Sequence, residues 1–311
     1  MDTQAVSYIA IDVSKKTLEV LSEDWSKSRS VANSEAALEG LLKKHAGFSQ
    51  SHFICEATGG YERALVGLLH SRGIAVSVVS PAKVRYFAQS EGVKAKTDPI
   101  DAKMLLRFAR EKRPRATPAP SPQRKALAAL MDRREHLSEQ LKREKTRLQK
   151  CDGLVAQSVG RMIDIVEREI ETVDGQIRRL VAGFASFAKV YETLVSVVGI
   201  GPVTAWTLLA YLPELGRLSR NQVVALAGLA PYNRDSGDSK KIRKIFGGRA
   251  KVRRCLYLAA VAAYRHNDVI RAYTQHFLDA GRPFKWAVVA AMRKLLIHTH
   301  YLVKKLDVAL A

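Results

Sequence analysis

Cysteine is scarce in this chain of 311 residues, and its three cysteines lie far apart with no CxxC spacing. A disulfide framework and a zinc ribbon are therefore not indicated. The sequence has no stretch approaching the roughly 20 apolar residues of a membrane span, no apolar signal-peptide segment, and no Walker-type phosphate-binding motif. These absences predict a cytoplasmic protein with no membrane partner and no requirement for ATP.

Acidic residues are outnumbered, since 51 Lys and Arg against 30 Asp and Glu leave a net charge of +21. Such an excess favours binding to a polyanion through phosphate contacts and counterion release. Because 47% of the residues are hydrophobic, the chain can bury substantial cores and is not a disordered basic tail. A nucleic-acid enzyme and a non-catalytic nucleic-acid-binding assembly factor both fit this composition.

The first third of the chain alternates between strand and helix patterns. Short runs rich in β-branched and aromatic residues predict strands at 6–13, 17–22, 28–32, 52–56 and 74–79. Helical patterns fall at 34–45 and 61–72, between the later strands. This order predicts a mixed sheet, and a proline-rich joint at positions 114, 118, 120 and 122 then ends the region.

The middle of the chain is helical. Leucines from Leu127 to Leu148, and Val and Ile residues from Val159 to Ile177, recur at steps of three and four, as in an antiparallel helical hairpin or a dimerising coiled coil. Further on, Gly199–Gly201 forms a glycine-flanked turn between two apolar helical segments. This turn is similar to a helix-hairpin-helix, which can hold a DNA phosphate through backbone N–H groups, although a simple interhelical turn would look the same.

Four carboxylates predict a metal site. Asp12 and Glu56 end predicted strands, and the rim of an α/β sheet is where such folds place their sites. Asp98 and Asp101 are three residues apart on a helix that begins near Pro99, so both face the same way. Carboxylate oxygens are the ligands that Mg²⁺ prefers, and two such ions can stabilise both oxygens of a phosphoryl displacement. The alternative for Asp98 and Asp101 is simple helix capping.

A dense basic segment follows near residue 234. From Arg234 to Arg254 there are nine Lys and Arg residues and two Asp residues, around the Ser236-Gly237 dipeptide. Such charge would favour a phosphate pocket in which a serine hydroxyl attacks, although Ser-Gly is also an ordinary turn dipeptide. The predicted nucleic-acid-binding residues are Lys94, Lys96, Arg234, Lys240, Lys241, Arg243, Lys244, Arg249, Arg253 and Arg254.

Several of these motifs, taken in order, resemble one family. They are Ile9–Lys15, Glu56–Gly59, Ala95–Ala102, and the series from Gly228 through Arg234–Gly237 to Arg249. Together they are similar to the DEDD-type insertion-sequence transposases, the bridge-RNA-guided serine recombinases that include pilin-gene invertases. The resemblance extends over nearly the whole chain.

The resemblance implies a fold class of α/β plus all-α. A RuvC-like, ribonuclease-H-type domain is expected at 1–115, a helical coiled-coil connector at 116–187, and a mainly helical transposase domain at 188–311. The family pattern makes Asp12, Glu56, Asp98 and Asp101 the Mg²⁺-binding tetrad, and makes Ser236 the nucleophile that forms a phosphoserine link to DNA.

The expected partners follow from the same resemblance. They are target and donor DNA, a noncoding guide RNA that pairs with both, and further copies of the chain in a dimer or tetramer. The sequence departs from many relatives at Lys241, where they carry glycine, which makes Ser239 the fallback nucleophile. Two other functions are compatible with these residues: a Holliday-junction-resolvase-like nuclease that uses water, and a basic assembly factor without chemistry.

Overall fold

In the computed structural model, residues 7–93, 98–232 and 244–306 are described, and these form a mixed α/β protein that is mostly helical. The side chains at 46, 98, 99, 232 and 244 are outside that description. The chain divides into two compact units at the junction of Ala119 and Pro120. Across the described ranges, no helix is both long enough and apolar enough to cross a membrane.

The first unit is built on a five-stranded mixed sheet. Its strands are β1 (Tyr8–Val13), β2 (Thr17–Ser22), β3 (Arg29–Ala32), β4 (His52–Glu56) and β5 (Val76–Val79). Their spatial order is β3-β2-β1-β4-β5, with β1 to β3 antiparallel to one another and β4 and β5 parallel to β1. The mixed sheet predicted from the sequence is confirmed.

Helices cover both faces of this sheet. They are α1 (Glu35–Lys44), α2 (Arg63–Ser71), α3 (Pro81–Ser90) and α4 (Asp98–Lys112), with a short 3₁₀ helix at Ala46–Gln50. Ile9 and Ile11 point into one apolar cluster, and Ala10 points into the other, where it meets Leu105 of α4. Because both faces are covered, β1 is a continuous apolar run up to Asp12.

The second unit begins with a long antiparallel hairpin. Helix α5 (Pro122–Leu148) and helix α6 (Gly153–Ala182) are joined by a short turn, and Gly153 takes a positive φ of 53° at its end. Arg134 of α5 pairs with Asp174 of α6, and Lys145, further along α5, pairs with Glu167, which is earlier in α6. The two helices are therefore antiparallel. The predicted helical repeat thus forms an intramolecular hairpin in this chain.

The rest of the second unit packs against the base of that hairpin. Its elements are α7 (Ala185–Val195), α8 (Pro202–Tyr211), α9 (Arg220–Leu226), the short strands β6 (Pro231–Tyr232) and β7 (Lys244–Ile245), α10 (Ala250–His266), α11 (Asp268–Asp279) and α12 (Phe284–Lys304). One apolar cluster includes Leu127 and Ile177 of the hairpin together with Trp206, Leu256 and Leu295. The hairpin base therefore shares a core with these helices, and a separate connector domain remains a prediction.

The turn between α7 and α8 has a packing explanation. Gly199 adopts a φ of 106°, and a Cβ placed there would lie 2.5 Å from the Cβ of Ala263 on α10. Only glycine allows α10 to approach this closely with that backbone conformation. A helix-hairpin-helix at this turn, with phosphate binding by its backbone, stays a prediction.

Candidate active site

Two of the predicted carboxylates are neighbours at the ends of adjacent parallel strands. β1 pairs with β4 so that Ile11 lies beside Cys55, and Asp12 and Glu56 are the next residue on each strand. Ile11 and Cys55 are fully buried, whereas Asp12 and Glu56 are partly exposed at the rim. Parallel pairing with buried apolar residues before each carboxylate therefore brings the two side chains to one edge of the sheet.

A third predicted carboxylate joins them from α4. Asp12, Glu56 and Asp101 line one cavity of about 1000 Å³, whose other walls come from α3, from the residues after it and from α4. Ala102, Leu105 and Ala109 of α4 are buried against the sheet, which fixes the helix and directs Asp101 towards the cavity. Residues separated by 89 positions in the sequence thus line the same cavity.

The carboxylate oxygens of Asp12, Glu56 and Asp101 are suited to bind a hard cation, but the three side chains do not form a closed group of ligands. Asp98 is the first residue of α4, three before Asp101, and its side chain lies outside the described part of the protein. Among described residues, no three His, Cys, Asp or Glu side chains lie close enough together to hold one ion. Mg²⁺ is usually bound by one or two carboxylates with water and substrate phosphates completing its shell, so this arrangement is compatible with that ion.

The turn after β4 is organised by Glu62, which the sequence analysis did not single out. Its Oε2 accepts hydrogen bonds from Thr58 N at 3.1 Å, Thr58 Oγ1 at 2.9 Å and Gly60 N at 2.9 Å. Burial alone would raise the pKa of Glu62, but hydrogen bonds from its own backbone N–H and from Thr58 and Gly60 outweigh it and hold the pKa below its usual range. The ionised Glu62 therefore fixes the loop that follows Glu56.

Cys55 lies beneath this rim, fully buried, and is not among the described residues that line the cavity. Burial, followed by the nearby charges of Glu62 and Glu56, raises the pKa of Cys55 to about 12. A thiol with so high a pKa stays protonated near neutral pH and is a poor nucleophile. The cavity is thus lined by oxygen donors, with no sulfur ligand from this strand.

The candidate nucleophile is outside the described residues. Ser236 and Ser239 both lie outside the described residues. The same holds for the predicted phosphate-binding residues Lys94, Lys96, Arg234, Lys240, Lys241 and Arg243. The chain on either side of 233–243 is described: Pro231 pairs with Ile245 and Tyr232 with Lys244, in an antiparallel arrangement. The segment that carries Ser236 therefore connects β6 to β7, and β7 is followed by α10.

The described arginines of the basic segment have partners inside the protein. Arg249 makes a two-point ion pair with Glu214, at 2.5 and 2.7 Å, and donates to the Tyr211 carbonyl at 3.0 Å. Arg253 donates to the Gly247 carbonyl, and Arg254 pairs with Glu135 of α5 at 2.6 Å. Arg249 therefore has a structural role. The side chain of Arg254 is more exposed, so it can still contact a phosphate.

A second charge cluster lies beside these arginines, between α5, α8 and α10. Lys251 is 2.6 Å from both Asp132 and Glu135, and the Tyr211 hydroxyl donates to Asp132. Burial, the hydrogen bond to Asp132 and the charge of Asp132 raise the pKa of Tyr211. These polar residues hold α10 on the hairpin and leave Lys251 little capacity for a phosphate.

Two family models match the chain in order. Residues 9–151 match a model of DEDD type named for IS110 and described as a transposase. Residues 191–275 match a model described as a transposase of the IS116/IS110/IS902 family. The first range contains the carboxylate cavity, and the second contains Ser236 with the basic segment.

Two relatives are similar over almost the full length. The pilin gene-inverting proteins of Moraxella lacunata and Moraxella bovis are each 28% identical to the chain over 309 residues, covering 96% of both sequences. Full-length similarity means that both compact units are shared in the same order.

Proposed function

The chain belongs to the IS110 family of DEDD-type transposases and is a DNA transposase or recombinase, and from this premise we propose how it cuts and rejoins DNA. Ser236 attacks a DNA phosphate and forms a phosphoserine link. Asp12, Glu56, Asp98 and Asp101 hold Mg²⁺ beside the reacting strand. The observation that carries the proposal is the meeting of Asp12, Glu56 and Asp101 at one cavity.

The carboxylates supply the cation-binding part of this proposal. Members of the DEDD type are typically metal-dependent, and the cavity offers oxygen donors from three separate segments. When bound, Mg²⁺ would stabilise negative charge on the phosphate oxygens. Asp12 and Glu56 are held by strand pairing and Asp101 by the buried face of α4, so their positions are set before any ligand arrives.

The serine supplies the covalent part. In the proposed step a bond forms between Ser236 Oγ and phosphorus while a bond from phosphorus to a deoxyribose oxygen breaks. The reverse step, with a new DNA end as the nucleophile, restores the serine, so no ATP is needed. Two features support this role: residues 191–275 match the transposase family, and the net charge of the chain is +21.

The proposed fold assignment is a RuvC-like, ribonuclease-H-type domain for the first unit. Three antiparallel strands followed by two parallel strands, with helices on both faces, support it. For the second unit we propose a helical connector followed by the serine-bearing transposase domain. The turn at Gly199–Gly201 then acts as a helix-hairpin-helix-like contact to the DNA backbone.

DNA is the substrate, and two further partners are proposed. A noncoding guide RNA would pair with target and donor DNA, which leaves the basic protein to bind backbone and shape. A homo-oligomer, dimer to tetramer, is supported by the outer face of α6, where Leu154 is 82% and Ile165 is 53% exposed. Apolar residues on a helix face opposite to its packed side favour association with another copy.

The test of the carboxylate site uses recombination of the native element, with its flanking noncoding DNA, in cells. Asp12→Asn, Glu56→Gln and Asp101→Asn should each abolish recombination while the purified proteins keep their thermal unfolding temperature. Asp24→Asn, an exposed carboxylate of the same unit, is the matched control and should recombine normally. Full recombination by Asp12→Asn would remove the cavity from the mechanism.

A water-using nuclease is the second candidate, and the same cavity supports it because its carboxylates do not require a serine. It predicts metal-dependent nicking that survives Ser236→Ala. The two candidate functions therefore predict different results for Ser236→Ala but the same result for the carboxylate variants.

A further inference from the structure

Helix α3 forms one wall of the carboxylate cavity and presents two side chains there that the proposed chemistry has not used. Arg85 and Tyr86 both line the cavity. Val84 and Phe87, their neighbours on the helix, are buried and hold α3 against the core. The burial of that apolar face fixes which residues of α3 turn towards the cavity.

Carboxylates outnumber basic residues among the described residues that line the cavity. Asp12, Glu56 and Asp101 contribute three carboxylates, whereas Arg85 is the one basic residue among the described residues that line the cavity. A phosphodiester entering this space would be repelled unless cations offset the carboxylates. A guanidinium can bind two phosphate oxygens at once, so Arg85 is chemically suited to hold a strand there.

Neither side chain has a competing use within the described residues. Arg107 of the same unit pairs with Glu91 and Glu111, whereas Arg85 makes no hydrogen bond or ion pair to any described group. Tyr86 is 62% exposed, and its ring has no aromatic partner in the part of the unit that the structure describes. An exposed tyrosine beside an unpaired arginine at a cavity mouth is typical of a surface that stacks bases and contacts phosphates.

We propose that Arg85 and Tyr86 bind the DNA strand at the carboxylate cavity, with Arg85 on a backbone phosphate and Tyr86 stacked on an unpaired base. The proposal rests on the proposed function, since it concerns the same strand and the same site. Stacking on Tyr86 needs a base that is not paired within a DNA duplex. The site would therefore select a strand that has already been separated from its complementary strand. Arg85 and Tyr86 act as positioning residues and take no proton or bond in the reaction.

Binding of purified full-length protein to a single-stranded DNA oligonucleotide carrying a fluorescent adenine analogue tests the contacts. Arg85→Ala should lower the slope of log affinity against log salt concentration by about one phosphate contact. Tyr86→Ala should weaken binding about five- to hundredfold and remove quenching of the analogue, while Tyr86→Phe keeps both. Lys83→Ala, on the same helix but outside the cavity lining, should leave the quenching unchanged.

Recombination of the native element in cells is the second readout. Arg85→Ala and Tyr86→Ala should each lower it at least about tenfold, with Arg85→Lys and Tyr86→Phe retaining more activity than the alanine variants. If Asp12→Asn abolishes recombination while Arg85→Ala and Tyr86→Ala match Lys83→Ala in both assays, this inference is wrong and the proposed function stands. If Asp12→Asn recombines normally, the proposed function itself fails.

Discussion

Arg249 binds Glu214 through two nitrogen-to-oxygen contacts, Nη1 to Oε2 at 2.5 Å and Nη2 to Oε1 at 2.7 Å. This pair joins the start of α10 to the turn before α9, and Arg249 also donates to the Tyr211 carbonyl at the end of α8. A side chain that sequence density alone placed on a phosphate surface is thus committed to holding three helices of the second unit together.

Arg249→Ala is predicted to destabilise the protein rather than simply weaken DNA binding. It leaves the partly buried carboxylate of Glu214 without its partner, and we expect a loss of about 1–3 kcal/mol in the free energy of unfolding. Urea titration measures this loss. Arg220→Ala, an exposed arginine at the start of α9, is the control and should change stability by less than about 0.5 kcal/mol. Equal stability of the two variants would contradict the structural role.

The same pair predicts a specific response to acid. Burial alone would raise the pKa of Glu214, but the hydrogen bond and charge of Arg249 hold it below its usual 4.5. The stabilisation is therefore present above pH 4.5 and is lost as the pH falls through the lower pKa of the folded state. Thermal unfolding should show a steeper loss of stability below pH 4.5 for the wild type than for Glu214→Gln. If the stability of the wild type and of Glu214→Gln depends on pH in the same way, protonation of Glu214 is not coupled to folding.

Gly199 is predicted to be intolerant of any side chain. The added Cβ of Gly199→Ala would meet Ala263 at 2.5 Å, and the backbone has a φ of 106°. We expect a loss of about 2 kcal/mol or more in the free energy of unfolding. Gly175→Ala is the matched control because nothing lies near that position of α6, and it should stabilise the helix by about 0.5–1 kcal/mol. If Gly199→Ala unfolds like the wild type, the close contact between the α7–α8 turn and α10 is absent.

The three cysteines are predicted to differ in reactivity. Burial raises the pKa of Cys55 and of Cys255 to about 12, so both carry almost no thiolate near neutral pH. Cys151 lies at the partly exposed turn between α5 and α6. Iodoacetamide should modify Cys151 first in the native protein and all three thiols in denaturant, and Cys151→Ser should leave the native protein almost unlabelled. Rapid modification of Cys55 would contradict its place beneath the cavity.

Local patterns predicted the strands and the carboxylate rim. β1 and β4 are apolar runs with a carboxylate next to or at the last position, and their parallel pairing in this register then places Asp12 beside Glu56. The repeat in the middle of the chain predicted two long helices for the same reason, because its period is encoded within each helix, but it did not distinguish a hairpin from a dimerising coiled coil.

Pairings between distant residues could not be predicted in this way. Lys251 meets Asp132 across 119 positions, and Arg249 meets Glu214 across 35, so a local count of charges assigns all these cations to solvent or phosphate. Arg85 and Tyr86 also carried no signal, since only the packing of Val84 and Phe87 determines that α3 turns them to the cavity.

The decisive experiment for the proposed serine chemistry is a search for a covalent protein–DNA adduct in cells that carry the native element. Wild-type protein, Ser236→Ala and Asp12→Ala would be compared after denaturation, with Ser239→Ala as the control for a nearby hydroxyl. The account predicts an adduct in the wild type and in Ser239→Ala, and none in Ser236→Ala or Asp12→Ala. Recombination that continues in Ser236→Ala without any adduct would contradict it.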